Sequence, residues 1–118
     1  MSSSRDLIFL AAFVMIALIT SPLSAAPLSE ERIAQEIIGK TLTGSRMGMT
    51  VRVIYHPDGT LKMKALFMSG EGTWRFSKTG ICMDMKSGPR QGESCITFEH
   101  LGGREYRNSE GLTLTVQD

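Results

Sequence analysis

The chain has few of the residues and motifs on which enzymes rely. It contains two histidines, His56 and His100, and neither has a nucleophile nearby in the sequence. It also lacks a nucleophile elbow, a His-Glu-x-x-His motif and a glycine loop that could cradle a phosphate. We therefore predict no catalytic residue, no cofactor and no enzymatic activity.

An excess of charge of one sign is lacking as well. Thirteen Lys and Arg side chains against twelve Asp and Glu leave a formal net charge of +1, with neither a basic stripe nor an acidic block. This balance argues against nucleic acid and against polyanionic membrane surfaces as partners. The 118 residues contain no internal repeat and suffice for one small domain. We expect that domain to be a monomer.

The first residues have the pattern of a secretory signal peptide. A short polar start with one cation, Arg5, precedes the 14 apolar residues LIFLAAFVMIALIT, and the small residues of SPLSAA follow. The apolar run is shorter than the roughly 20 residues that a membrane-spanning helix needs. We predict a signal peptide over residues 1–26, cleaved after Ala25 or Ala26, and a periplasmic or secreted protein with no stable membrane anchor. Asp6 weakens the cationic start, so an uncleaved anchor is the alternative.

Cysteine is scarce, and its two positions are informative. Twelve residues separate Cys82 from Cys95, which excludes a Cys-x-x-Cys redox motif and a zinc-ribbon pair. Disulfides persist in oxidising compartments. A domain this small buries little apolar surface, so a covalent crosslink adds stability that its core does not supply. We predict a disulfide between these two cysteines.

The remaining chain divides into a helix over residues 27–39 and a β domain over residues 40–118. In the first segment Ser29 is the predicted N-cap, two glutamates and an apolar stripe follow it, and Gly39 is the stop. Beyond Gly39 the apolar period becomes 2, which is typical of strands. The predicted fold class is mainly β, an antiparallel meander of about eight short strands. It is curved or closed as a small lipocalin-like barrel, with one short N-terminal helix.

The apolar alternation also predicts strand registers. A turn at residues 56–60 makes a hairpin whose facing inner pairs are all apolar, namely Tyr55 with Leu61, Val53 with Met63, Val51 with Ala65 and Met49 with Phe67. A second register sets Cys82 opposite Cys95. It also sets Asp84 opposite Glu93, and we expect a bulge or a wider loop to shift the pairing of these like charges.

The order of short motifs resembles a known family. GKTLTG after a short helix, then YHPDGTL, GTWRF, GIC, a second cysteine and GREYR resemble a family of small exported alphaproteobacterial proteins, β-rich domains of unknown function, over residues 37–116. This resemblance implies a periplasmic β domain with a disulfide, and it brings no activity. GTWRF with two cysteines is also similar to periplasmic inhibitors of secreted metalloproteases, and GGREY before a final hairpin is similar to periplasmic lysozyme inhibitors.

A turn near the end of the chain is the first candidate for binding. Arg104, Tyr106 and Arg107 in GGREYR form the predicted partner-binding loop, because tyrosine and arginine are enriched where proteins bind each other. We therefore predict a non-catalytic binding module with an unknown periplasmic protein or glycan as its partner. Its sharpest form is an inhibitor of a hydrolase, either a lysozyme or a protease.

The methionines give an alternative. Six follow the predicted signal peptide, and the spacings MGM and MDM place two thioethers on the same side of a strand. Soft thioethers with an imidazole suit Cu(I), so Met47, Met49 and His56 are the alternative metal site of a copper or small-ligand carrier. Methionine also fills irregular cores, and core packing is the favoured interpretation because the strand phase points four of them inward, namely Met49, Met63, Met83 and Met85.

Overall fold

A computed structural model of the protein describes residues 26–117. The predicted signal peptide lies almost entirely outside these residues and stays a prediction. Within residues 26–117 no helix is long and apolar enough to cross a membrane.

In the described part of the chain, one helix, α1 (Glu30–Glu36), precedes the strands. Ser29 caps it as predicted, since its side chain accepts a hydrogen bond from the backbone nitrogen of Arg32 at 3.2 Å. Ile33 and Ile37 are fully buried, so the apolar stripe of the helix packs into the core. Gly39 follows with a φ of +82° and donates its backbone N–H to the Tyr55 carbonyl at 2.7 Å. The helix therefore closes one end of the sheet.

Within residues 26–117, nine antiparallel strands form a single curled half-barrel sheet in the order β6-β5-β4-β3-β2-β1-β9-β8-β7. The prediction of a mainly β, antiparallel fold with one short helix is confirmed. The strands are β1 (Thr41–Arg46), β2 (Met49–Tyr55), β3 (Thr60–Lys64), β4 (Ser69–Phe76), β5 (Ile81–Met85), β6 (Gly92–Ile96), β7 (Phe98–Gly102), β8 (Glu105–Asn108) and β9 (Thr113–Val116).

The ninth strand arises because the segment SCITFEH is divided at Thr97. Strand β6 pairs with β5 before this residue, whereas β7 pairs with β8 after it, so one stretch of chain supplies both edges of the sheet. Thr97 accepts a hydrogen bond from the Ser109 backbone nitrogen at 2.9 Å, and the Ser109 hydroxyl accepts one from Thr97 at 3.0 Å. The sheet is curled enough to bring its two edges to the same short segment of chain.

The register predicted for the first hairpin is confirmed next to its turn and is wrong at the strand ends farther from that turn. Val53 pairs with Met63 and Tyr55 with Leu61, as the alternation predicts. Strand β3 ends at Lys64, however, and a tight turn follows in which the Ala65 N–H donates to the Met68 carbonyl at 2.7 Å. Phe67 is therefore 87% exposed and does not face Met49.

The cysteine register is confirmed throughout. Cys82 pairs with Cys95, and a disulfide joins them. Asp84 does face Glu93, and the expected shift in pairing does not occur. Each carboxylate has its own cation instead. Lys86 Nζ lies 2.7 Å from Asp84, and an Arg75 guanidinium nitrogen lies 2.9 Å from Glu93. The two ion pairs reduce the repulsion between the facing acids.

Candidate functional site

A cavity of about 200 Å³ opens at the end of the half-barrel opposite α1. Four connections contribute to its mouth, the β1–β2 turn, the β3–β4 turn, the β5–β6 loop and the β8–β9 turn. We call this cavity the methionine cup, because all six methionines of the described residues line it: Met47, Met49, Met63, Met68, Met83 and Met85.

Strand alternation explains why the methionines meet. Met83 and Met85 lie two residues apart in β5, so both side chains point to the inner face, and both are less than a tenth exposed. Met63 is half-buried and enters from β3. Met47 and Met68 lie in the turns at the mouth and are 92% and 44% exposed. The cup is therefore closed and apolar at depth and open to solvent at its mouth.

Two buried polar groups interrupt this apolar wall. Tyr55 is only 3% exposed, and within residues 26–117 its hydroxyl makes no hydrogen bond. Burial raises the pKa of this phenol, with a smaller contribution from the Glu110 carboxylate. Asn108 is 7% exposed and accepts hydrogen bonds from the backbone nitrogens of Glu110 and Leu112, both at 3.0 Å. The Tyr55 hydroxyl is thus a buried donor with no protein partner among the described residues.

Three charged side chains stand at the mouth. Arg46 and Arg90 line it together with Glu110, and a guanidinium nitrogen of Arg90 lies 3.7 Å from the Glu110 carboxylate. All three residues are exposed. The mouth is therefore charged and hydrated, whereas the interior is lined with thioethers and aliphatic side chains.

The predicted metal-ligand set does not come together. Met47 and Met49 lie at the mouth of the cup, at the start of β2, whereas His56 follows the end of the same strand. Seven residues of extended chain place His56 roughly 20 Å away, at the end that α1 closes. At that end the backbone carbonyl of His56 accepts a hydrogen bond from the Trp74 indole at 2.8 Å. Within residues 26–117 no group of three His, Cys, Asp or Glu side chains is placed to hold a metal ion.

The predicted partner-binding loop is only partly presented to solvent. Arg104 and Arg107 are exposed, and Arg107 forms an ion pair with Glu99 at 3.0 Å. Tyr106 is instead 5% exposed, and its hydroxyl donates to the Glu36 carboxylate at 2.6 Å. The tyrosine therefore anchors α1 to β8 and does not extend toward a partner.

The Tyr106 and Glu36 pair shifts the acidity of both groups. Desolvation, and then the hydrogen bond to Glu36, raise the pKa of Tyr106 to about 12. Arg32 lies 2.8 Å from Glu36, and its hydrogen bond, with that of Tyr106, lowers the pKa of the Glu36 carboxyl. Both shifts favour the state in which Tyr106 is protonated and Glu36 is ionised, which is the state that holds the helix.

Sequence reasoning assigned the direction of the methionines but missed the cup. The period-2 pattern places Met49, Met63, Met83 and Met85 inward, and inward methionines are usually packed against other core side chains. Met49 lines the cup but is 36% exposed, because it lies at the mouth. The space between these methionines depends on where four separate connections end. The sequence signal is that all six methionines fall in or beside predicted strands. Only the structure shows that the ends of these strands meet.

Comparisons of this chain with protein-family models, with curated proteins and with solved structures find no match. The resemblances to exported alphaproteobacterial domains and to periplasmic inhibitors therefore stay predictions.

Proposed function

We propose that the protein is an exported, non-catalytic binding module that holds a small, mainly apolar molecule in the methionine cup. The observation that carries this proposal is the convergence of six methionines on one open cavity. Ligand sites are typically concave and mostly apolar, with a few placed polar groups. The cup has these properties on a scale of about 200 Å³, which suits a small ligand or one end of a longer one.

Methionine gives the cup an adaptable lining. Its side chain is unbranched, polarisable and able to take several rotamers, so it can close around apolar groups of different shapes. Rigid β-branched residues in the same places would select one shape. The lining therefore favours a flexible aliphatic ligand over a planar, tightly recognised one.

The buried hydroxyl of Tyr55 favours a ligand that carries a hydrogen-bond acceptor. A buried donor without a partner carries a desolvation penalty, and an acceptor on the ligand removes that penalty. One such contact in an otherwise apolar site also fixes the orientation of the ligand. An aliphatic chain with a carbonyl or carboxylate group has the matching chemistry.

Copper carriage is the second candidate, and the same six thioethers favour it. Soft thioether ligands select Cu(I) over harder ions. In this form the site consists of methionines alone, because His56 lies at the other end of β2. Competition for Cu(I) against a colorimetric chelator tests it, and replacing Met83 and Met85 by leucine is expected to abolish metal retention while keeping the apolar lining.

Hydrolase inhibition through the GGREYR turn has less support. Only Arg104 and Arg107 of the predicted loop are exposed, and the Tyr106 hydroxyl is already bonded to Glu36. Tyrosine contributes to interfaces chiefly by inserting its ring into the partner. An inhibitor that used this turn would have to act through its two arginines.

The proposal is tested by binding of an apolar fluorescent probe and its displacement by decanoate. The probe is 1-N-phenylnaphthylamine, added to processed protein purified from the periplasm of an expressing cell. Ala65 lines the cup, so Ala65→Phe fills its mouth and is expected to weaken decanoate binding at least about tenfold. Ala34→Phe makes the same change on an exposed face of α1 and is the matched control.

Two results would contradict the proposal. One is the absence of saturable probe binding to the wild-type protein. The other is equal binding by Ala65→Phe and Ala34→Phe when both retain wild-type circular dichroism, because the ligand would then lie outside the cup.

A further inference from the structure

The mouth of the cup carries a cluster of exposed apolar side chains. Met47 in the β1–β2 turn is 92% exposed, and in the β3–β4 turn Leu66 is 68% exposed, Phe67 87% and Met68 44%. We call these four residues the apolar tips. Single exposed apolar residues are common on protein surfaces, but a cluster on neighbouring turns marks an interaction site. Two of the four, Met47 and Met68, also line the cup, so the cluster and the cavity are continuous.

The backbone at Met47 supports a functional interpretation. Its φ is +51°, and among residues 26–117 it is the one non-glycine residue in the left-handed region. Gly48 follows with a φ of +81°, so the pair forms a tight turn that asparagine or aspartate before glycine would favour. A large apolar side chain in this conformation works against local stability and solubility, and strained residues of this kind cluster at functional sites.

The charge around the tips is unlike the balanced charge of the whole chain. Arg46 ends β1 at the mouth, and Lys86 and Arg90 lie in the β5–β6 loop, where Lys86 is paired with Asp84 and Arg90 with Glu110. Beside them on the outer face, Arg52 of β2 lies directly opposite Lys64 of β3 and both are exposed. The formal net charge of +1 argues against a broadly polyanionic partner, but it conceals a local group of three cations, Arg46, Arg52 and Lys64, which form no ion pair within residues 26–117.

We propose that the open end of the half-barrel docks on the surface of an anionic lipid bilayer. The apolar tips enter the boundary between headgroups and acyl chains, and the surrounding cations face the anionic headgroups. The inference rests on the proposed function, and it names the ligand class: one acyl chain end, taken into the methionine cup from the lipid that its mouth contacts. A lipid surface fits better than a folded partner, because apolar turn tips flanked by cations need no complementary shape.

The test is cosedimentation of the processed protein with vesicles. One set contains phosphatidylglycerol and phosphatidylethanolamine, and the other contains phosphatidylcholine alone. We expect binding to the anionic set, weakened by salt because the cations act through a screened field. Leu66→Ser with Phe67→Ser is expected to weaken binding at least about tenfold, since two exposed apolar side chains no longer insert. Leu101→Ser is the control, an apolar residue of β7 that is 39% exposed and lies outside the cup lining.

A charge-reversal pair tests the electrostatic part. Arg46→Glu at the mouth is expected to weaken binding to anionic vesicles about tenfold. Lys78→Glu makes the same change in the β4–β5 turn, at the other end of the sheet, and is expected to leave binding unchanged.

Each contrary outcome overturns a defined part of the account. If the wild-type protein fails to bind anionic vesicles but still binds 1-N-phenylnaphthylamine, the docking inference fails and the proposed function stands. Equal vesicle binding by the variants at the mouth and by their controls would place the lipid contact elsewhere and would also refute the inference. A dimer in sedimentation equilibrium that Leu66→Ser with Phe67→Ser dissociates would make a second copy of the chain the occupant instead. If the wild-type protein binds neither the probe nor the vesicles, both proposals are refuted.

Discussion

The two tyrosines of the chain are both buried, and their hydroxyl groups have opposite surroundings. Tyr106 donates to the Glu36 carboxylate at 2.6 Å, whereas the Tyr55 hydroxyl has no hydrogen-bond partner within residues 26–117. Replacing tyrosine by phenylalanine removes one oxygen and keeps the ring. The same chemical change is therefore expected to destabilise the protein at Tyr106 and to stabilise it at Tyr55.

The cost at Tyr106 follows from the charge of its partner. Hydrogen bonds to charged groups contribute about 1.5–3 kcal/mol to stability, and the Glu36 side chain is 27% exposed, so we take the lower end of that range. Tyr106→Phe is expected to lower the free energy of unfolding by about 1.5 kcal/mol. For a domain of this size the melting temperature falls by roughly 6 °C or more.

The gain at Tyr55 follows from the missing partner. Burying a hydroxyl without a hydrogen bond costs about 1–3 kcal/mol, and the phenylalanine variant avoids that cost. Tyr55→Phe is expected to raise the free energy of unfolding by about 1 kcal/mol, equivalent to about 4–8 °C in melting temperature. The same variant is expected to bind decanoate several-fold more weakly, because the donor in the methionine cup is gone.

Urea and thermal unfolding followed by circular dichroism at pH 7 measure both variants against wild type. A loss of more than about 0.5 kcal/mol in Tyr55→Phe would show that its hydroxyl has a partner in the folded protein. A change within about 0.5 kcal/mol in Tyr106→Phe would show that the contact with Glu36 does not hold the helix. Either result would show that the hydrogen bonding of that tyrosine differs from the contacts described above.

Two further predictions concern the helix anchor and the crosslink. The pKa of Glu36 is lowered from 4.5 by Arg32 and Tyr106, so its contribution is complete above pH 4.5 and is lost as the pH falls through the folded-state value. The stability difference between wild type and Glu36→Gln should therefore shrink between pH 5 and pH 3 in urea unfolding, and a constant difference would contradict it. Replacing Cys82 and Cys95 by serine should lower the free energy of unfolding by about 3 kcal/mol, whereas an unchanged urea midpoint would show that the disulfide constrains nothing.

Local patterns in the sequence predicted the parts of the fold that local chemistry determines. Ser29 is the N-cap, Val53 faces Met63, and Cys82 faces Cys95, because caps and period-2 alternation act over a few residues. The alternation fails at Phe67, since it cannot distinguish an apolar residue in a strand from one in the turn that ends it.

The features that sequence reasoning missed depend on contacts between distant segments. Glu36 and Tyr106 are 70 residues apart, and nothing in either local pattern links a helix to a turn near the end of the chain. The change of strand partner at Thr97 likewise depends on Ser109. The methionine cup needs the ends of several hairpins to meet, so its volume is a property of the assembled sheet.

The proposed function requires that the ligand enters the methionine cup. Labelling methionine methyl groups with ¹³C and titrating the protein with decanoate by NMR shows where the ligand binds, because all six methionines of the described residues line the cup. We predict saturable shifts of the deep signals of Met63, Met83 and Met85, assigned by single substitution to leucine. If decanoate binds while these three signals stay fixed, or if no methionine signal moves, the ligand does not enter the cup and the account is wrong.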